Sequence, residues 1–201
     1  MYVLQNEGKR RIMKEIRFSA ILIVIALVMQ LSGKTGFILL QYQRERILSG
    51  ELWRLLTGHL LHLSWTHMWM NLAALVLIGL IFRKSYAEKI WWLLLGVSML
   101  GVDLGLLLFN PEISWYVGLS GALHGIFAGL AILYWRSEGR TGGLFLLVLV
   151  VKLVLEQWSG ALPGSAELSG GTVIVDAHLY GAIAGGLAAS LVRLNWAKRQ
   201  L

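Results

Sequence analysis

Six apolar stretches separated by short polar segments occupy most of this chain, at residues 18–33, 57–82, 90–109, 119–135, 142–158 and 174–194. A membrane-spanning helix needs about 20 mostly apolar residues, and each stretch meets that length approximately. The pattern predicts an all-α polytopic membrane protein whose six transmembrane helices form one bundle over residues 18–194. Short tails at 1–17 and 195–201 flank this bundle, and we find no internal repeat or second domain.

The overall composition strengthens the membrane interpretation. Of 201 residues, 57% are hydrophobic and only 14% are charged, whereas a soluble domain of this size needs more charge to cover its surface. The sequence contains no cysteine, which excludes a disulfide framework and a thiolate metal site. We expect the first apolar stretch to be a retained span, because no small-residue cleavage site follows it.

The positions of the basic residues predict the orientation. They cluster before span 1 and after spans 2, 4 and 6, at Lys9, Arg10, Arg11, Lys14, Arg17, Arg83, Lys84, Lys89, Arg136, Arg140, Arg193, Lys198 and Arg199. The connections after spans 3 and 5 contain no Lys or Arg. Because basic loops stay on the cytoplasmic side, both termini are predicted to be cytoplasmic. The net charge of +7 is therefore assigned to contact with anionic membrane lipid and not to nucleic acid.

Two external connections have unusual compositions. The first carries Lys34, Arg44, Arg46 and Arg54 among apolar residues, which predicts an amphipathic segment lying in the membrane interface. The one after span 5, residues 159–173, is rich in Gly and Ser and contains one Pro. We expect this second connection to cover and uncover a site beneath it.

Polar side chains converge at one depth of the predicted bundle. All five histidines fall in predicted spans, namely His59, His62, His67, His124 and His178. Four of them, with Asn71 and Ser120, belong to the external halves of spans 2, 4 and 6. Because polar groups at membrane depth are costly, they usually face a bundle interior or a wet cavity.

Glycine spacing predicts which spans carry the meeting faces. Span 4 has Gly121, Gly125 and Gly129 at four-residue intervals, and span 6 has Gly181 and Gly185. Such stripes allow two helix backbones to approach closely. We therefore expect spans 4 and 6 to cross tightly, with Ser120 opposite His178.

A serine and a histidine in this arrangement suit nucleophilic catalysis. A neutral imidazole at hydrogen-bond distance can take the proton of a serine hydroxyl. His67, Asn71 and the backbone N–H of Ser120 are candidates to hold the oxyanion. Asp176 lies two residues from His178 and points elsewhere on a helix, so the sequence predicts a Ser120–His178 dyad, with no cofactor and no metal.

Less specific interpretations compete with this one. A serine in a membrane helix commonly bonds to its own backbone, and His59, His62 and His67 form a weak metal-site pattern. Lys152 and Glu156 are spaced to neutralise each other, and the sequence suggests no partner for Asp103. A small transporter could use Lys152, Glu156 and the histidines as a proton relay, although neither inverted repeats nor broken helices are evident.

Four short motifs resemble the rhomboid family of intramembrane serine proteases. Gly118-Leu-Ser-Gly121 resembles the nucleophile motif of that family, and "WRLLTGHLLH" at 53–62 resembles its first-loop Trp-Arg and second-span entry. His67-x-x-x-Asn71 matches the oxyanion-side motif, and Ala177-His178-x-x-Gly181-x-x-x-Gly185 matches the base motif on the sixth span. The resemblance implies a Ser120 nucleophile, a His178 base and an oxyanion site that includes His67 and Asn71.

"GLSGALHG" and "VIVDAHLYGAIAGG" are similar to the rhombosortase branch of this family. Many rhomboids have an aromatic residue in place of His124, which could stack on His178 or itself reach Ser120. The resemblance implies a protease of the bacterial inner membrane that removes C-terminal sorting tails from exported proteins, each with a Gly-rich motif, one span and a basic end. It also implies cleavage near the external face, with lateral substrate entry past span 5. The alternative is a catalytically inactive rhomboid-like protein that binds transmembrane segments.

Overall fold

The computed structural model describes the backbone of residues 2–82 and 86–197, and the side chains of 17–82, 86–135, 137 and 139–192. Within these residues the chain forms ten α-helices: α1 (Tyr2–Leu31), α2 (Gly33–Leu40), α3 (Arg44–Leu48), α4 (Arg54–Thr57), α5 (Trp65–Ile81), α6 (Glu88–Phe109), α7 (Ser120–Glu138), α8 (Arg140–Ser159), α9 (Ser165–Ser169) and α10 (Val175–Ala197). Two short antiparallel strands, β1 (Tyr42–Gln43) and β2 (Trp115–Tyr116), pair Tyr42 with Tyr116. Arg83, Lys84, Lys198 and Arg199, on which the orientation partly depends, lie outside the described backbone.

Each of the six predicted spans corresponds to a helix, but the helices differ in length. Among the described residues, α6, α8 and α10 are long and apolar enough to cross a membrane on their own. In α7, the apolar segment Ser120–Trp135 is shorter than a full span. Two further candidates are bent pairs, Arg17–Leu31 with Gly33–Leu40 and Arg54–Leu60 with Trp65–Ile81. Six crossings and cytoplasmic termini therefore stay a prediction.

The second predicted span is not one straight helix, and its long helical part begins at Trp65 and not at Thr57. A bend of 93° separates Arg54–Leu60 from Trp65–Ile81. Ser64 ends the bend as the N-cap of α5, because its side chain accepts a hydrogen bond from the backbone N–H of His67 at 3.0 Å. His67 therefore lies in the first turn of α5, whereas His59 and His62 precede the helix.

The predicted crossing of spans 4 and 6 is confirmed as the contact between α7 and α10. A Cβ atom at Gly181 would overlap the carbonyl oxygen of Gly121, and one at Gly185 would overlap that of Gly125. Only glycine permits this backbone approach, which matches the small-residue packing of membrane helices. The remaining core joins these helices to α1, α5 and α6 through side chains such as Phe18, Met68, Trp91 and Ile126.

The basic residues of the first connection hold it against the bundle. Arg44 donates hydrogen bonds to the carbonyl oxygens of Leu106 and Leu107 at the end of α6, at 3.2 and 2.9 Å. Arg54 is buried and donates to Glu51 and to the carbonyl oxygens of Ile38 and Gln41. The hydrogen bond from Arg54 also lowers the pKa of the Glu51 carboxyl.

These contacts explain why the first connection, predicted to be external, carries basic residues: Arg44 and Arg54 are used within the protein. Large apolar side chains of the same segment are exposed, at Ile38, Leu39, Leu48, Leu52, Trp53 and Leu56. Short helices with exposed apolar side chains favour the predicted position in the membrane interface. That position stays a prediction.

Candidate active site

Ser120 is the first residue of α7, directly after a tightly held turn. Gly118 adopts a φ of +131°, which favours glycine, and its backbone N–H donates to the carbonyl oxygen of Gly58 at 3.1 Å. The hydroxyl of Tyr116 donates to the Gly118 carbonyl oxygen at 2.7 Å. The turn therefore fixes the half-buried Ser120 at a helix N-terminus, where the first backbone N–H groups have no partner within the helix.

His178 lies near the start of α10 and reaches Ser120 across the glycine crossing. Its Nε2 atom is 2.9 Å from Ser120 Oγ, and its side chain is buried. These two residues are 58 positions apart in sequence, so their contact depends on the close approach of α7 and α10. A hydroxyl that donates to a neutral imidazole is the arrangement that general-base activation of a serine requires.

The expectation that no Asp or Glu lies against His178 is wrong, because Glu156 of α8 contacts the other ring nitrogen. Catalysis by Ser120 and His178 stays a prediction. Its Oε2 atom lies 2.9 Å from His178 Nδ1, and its Oε1 atom lies 2.7 Å from the Nζ atom of Lys152. The predicted Lys152–Glu156 pair does form, but Glu156 also serves His178. Asp176 points elsewhere, as expected, and accepts a hydrogen bond from Asn110 at 2.8 Å.

His124 stacks on His178 and does not replace it. The two ring centroids are 4.2 Å apart and the ring planes differ by 15°. The Nδ1 atom of His124 lies 2.7 Å from the backbone carbonyl oxygen of Ser120, which identifies it as a donor to the helix and not as the base for the hydroxyl. Of the two possibilities that the sequence leaves open, the geometry supports stacking.

His67 and Asn71 occupy different positions relative to Ser120. His67 lines the cavity in front of Ser120, and a Cβ atom at Gly118 would lie 3.2 Å from its Nε2 atom. Asn71 is buried one turn further along α5 and donates from Nδ2 to the carbonyl oxygen of His67 at 3.2 Å. The oxyanion role of both residues stays a prediction, and His67 has the more direct access.

A cavity of about 420 Å³ opens in front of Ser120. Its walls include His67, residues 112–117 around β2, and residues 169–174 from the end of α9 onward. The last part of the Gly- and Ser-rich connection therefore forms one wall of the cavity. We refer to residues 159–173 as the cover; that it covers and uncovers the site stays a prediction. Ser64 ties this cover to α5, because its hydroxyl donates to the carbonyl oxygen of Ser169 at 3.0 Å.

We expect Ser64→Ala to loosen the cover and destabilise α5, since the same side chain caps the helix and holds Ser169. Loss of an N-cap costs about 1 kcal/mol, and cleavage of residues 159–173 by an added protease should become faster. The matched control is Ser165→Ala, which removes an exposed hydroxyl whose hydrogen bond stays within the cover. Equal proteolysis of both variants would contradict a tether through Ser64.

The other buried histidines have separate surroundings. His59 pairs with Asp103 through Nε2 and Oδ1 at 3.2 Å, which supplies the partner that the sequence does not suggest for Asp103. His62 packs edge-on against His67, with ring centroids 5.1 Å apart. Within the part of the chain that the structure describes, His124, Glu156 and His178 form a group of potential metal ligands whose ligand atoms all lie within 4.8 Å of one another. Both ring nitrogens of His178 already have partners, Ser120 and Glu156, so the geometry favours proton transfer there.

Comparison with known proteins identifies the family. A model of the rhomboid domain matches residues 49–195, which include Ser120, His178 and their partners. Uncharacterized proteins of Mycobacterium tuberculosis and Mycobacterium bovis are each 29% identical over 186 residues, covering 87% of this chain and 72% of theirs. A Bacillus subtilis protein named "Putative rhomboid protease YdcA" is 26% identical over 148 residues, covering 72% of this chain and 69% of its own. Rhomboid domains suggest an intramembrane serine protease, although the family includes inactive members. The chain belongs to the rhomboid family.

Proposed function

We propose that this chain is an intramembrane serine endopeptidase with Ser120 as nucleophile and His178 as general base. The observation that carries the proposal is the 2.9 Å contact between His178 Nε2 and Ser120 Oγ at the edge of an open cavity. A merely structural serine would bond to its own helix backbone, whereas this hydroxyl is directed at the imidazole of another helix. An inactive relative would have no need of this contact.

The proposed reaction is acyl transfer in two halves. Ser120 Oγ attacks the peptide carbonyl carbon while its proton passes to His178 Nε2, and the oxyanion is held by His67, Asn71 and the first N–H groups of α7. His178 then gives the proton to the leaving amine as the C–N bond breaks. In the second half, water enters through the cavity and attacks the acyl carbon while His178 takes its proton. His178 then returns the proton to Ser120 Oγ as the ester bond breaks, which releases the carboxylate product.

The proposed substrates are exported proteins that end in a Gly-rich motif, one membrane span and a basic tail. Support comes from the resemblance of the segments around Ser120 and His178 to rhombosortases, together with the small residues Ser169, Gly170 and Gly171 on the cavity wall. A wall with short side chains leaves room for an extended, glycine-rich backbone. We place the enzyme in the bacterial inner membrane with its cavity on the periplasmic side, in agreement with the Lys and Arg distribution. Lateral entry past α8 is part of this proposal.

The test is cleavage of a designed substrate in vesicles. A soluble reporter is fused to a Gly-rich motif, one membrane span and a basic end, and a second substrate replaces the Gly-rich motif with a helix-forming sequence. We expect the purified protein to cut the first substrate near the external end of the span and Ser120→Ala to leave it intact. Equal cleavage of both substrates would overturn the sorting specificity. If the protein cleaves neither substrate, the result would support the inactive, segment-binding alternative.

The pair Lys152–Glu156, on which the transporter alternative depends, has another use in this structure. That alternative required Lys152 and Glu156 to relay protons, but Glu156 is engaged with the imidazole that contacts Ser120. The same two residues now belong to the candidate active site.

A further inference from the structure

Two charged side chains of α8, those of Lys152 and Glu156, point into the protein at the level of His178. The opposite surface of α8 is apolar and exposed, as at Val151, Val154 and Leu155, and only 22% of this span is buried. Glu156 itself is almost completely buried. Because a buried carboxylate is stable only with close partners, its contacts define its role.

Glu156 uses both carboxylate oxygens. Oε2 contacts His178 Nδ1 at 2.9 Å, and Oε1 contacts Lys152 Nζ at 2.7 Å. The Nζ atom is shielded from solvent although part of the Lys152 side chain is exposed. A shielded ammonium group next to a carboxylate favours the ionised form of that carboxylate.

We propose that Glu156 is a positioning residue for His178 and that Lys152 keeps it ionised. This inference rests on the proposed function, since it concerns how the base of the same site is prepared. The site then works as a Ser120–His178–Glu156 triad, with Lys152 as the counter-ion of the carboxylate.

The carboxylate determines which ring nitrogen carries the proton. An ionised Glu156 only accepts hydrogen bonds, so His178 must donate from Nδ1. Nε2 then keeps its lone pair toward Ser120 and can take the hydroxyl proton. When it does, the imidazolium donates to Glu156 from Nδ1, and Glu156 remains a carboxylate throughout the reaction.

Stacking on His124 cannot supply this control. A ring packed face to face at 4.2 Å limits the plane of the imidazole but leaves both tautomers possible. The titratable groups around His178 are His124 on α7, His67 on α5, and Lys152 with Glu156 on α8. Among these, Glu156 is the acceptor within hydrogen-bond distance of Nδ1.

Glu156→Gln tests the inference, because glutamine keeps the volume and removes the charge. We expect the rate of Ser120 acylation by a fluorophosphonate, which forms an O–P bond and expels fluoride, to fall at least about 100-fold, since loss of the carboxylate from a Ser-His-Asp triad costs about 10⁴-fold. The acid limb of the pH–rate profile should move to lower pH, since the imidazolium has lost its counter-ion. Glu45→Gln makes the same change at an exposed position of α3 and should alter neither quantity.

Lys152→Met provides a second variant in case Glu156→Gln does not fold. We expect it to lower the acylation rate about tenfold, because the Glu156 carboxylate loses its counter-ion. Lys34→Met, at an exposed position of α2, is the matched control.

An unchanged rate and pH profile in a folded Glu156→Gln would overturn the positioning role. Where that variant does not fold, an unchanged acylation rate in Lys152→Met would overturn it. An unlabelled wild type would instead contradict the proposed function. The two failures are therefore distinguishable.

Discussion

His178→Ala is expected to reduce acylation of Ser120 by a fluorophosphonate about 1,000-fold or more, because removal of the base from a serine protease leaves the hydroxyl essentially unactivated. The structure supplies the reason, since His178 Nε2 is the ring nitrogen within 2.9 Å of the hydroxyl. The measurement is the labelling rate of the purified protein in detergent, read by intact mass, alongside cleavage of the designed substrate.

His124→Ala is the matched control for this prediction. It removes the same type of side chain from the neighbouring helix, next to the same ring. Because His124 donates to the Ser120 carbonyl oxygen and supports His178 only by stacking, we expect a loss of about tenfold at most. A larger loss in His124→Ala than in His178→Ala would contradict the assignment of the base.

Gly181→Val should have the largest effect on stability. A single added Cβ atom already overlaps the Gly121 carbonyl oxygen, so valine forces α10 away from α7. Overpacking of this kind costs about 1–3 kcal/mol and more where backbone must move. Since His178 lies one turn before Gly181, the displacement should also separate the base from Ser120 and remove activity.

Gly96→Ala is the control for the glycine prediction. It lies inside α6, and a Cβ atom there would meet no heavy atom within 4 Å. Alanine is the better helix former by about 1 kcal/mol in soluble peptides, so the melting temperature in detergent should be unchanged or higher. Similar destabilisation by both substitutions would contradict a backbone contact specific to Gly181.

Much of the bundle follows from local sequence patterns. The four-residue glycine spacing on the spans of α7 and α10 predicts their crossing, and the structure confirms it with overlapping Cβ positions at Gly181 and Gly185. That crossing also explains why Ser120 and His178 meet. The hydropathy pattern does not predict the break before α5, although Ser64 before a Trp-Thr-His turn is a recognisable N-cap signal.

The contacts of Glu156 and Asp103 were not predictable in the same way. A helical spacing of four explains why Lys152 and Glu156 touch, but the rotation of α8 about its axis decides whether they face lipid or His178. One signal was available: Glu156 lies near the end of predicted span 5 and His178 near the start of predicted span 6, so both are expected at the same end of the bundle. Asp103 pairs with His59 of the bent entry to α5, whose path depends on tertiary packing.

Mapping the residue that a fluorophosphonate labels in the wild-type protein tests the central claim most directly. The purified chain is labelled in detergent, digested, and analysed by mass spectrometry, with Ser120→Ala processed in parallel and melting curves verifying that both are folded. The proposed function predicts one adduct, on the peptide containing Ser120, which Ser120→Ala lacks. No adduct on Ser120 in a folded wild-type protein would contradict the assignment of a serine protease.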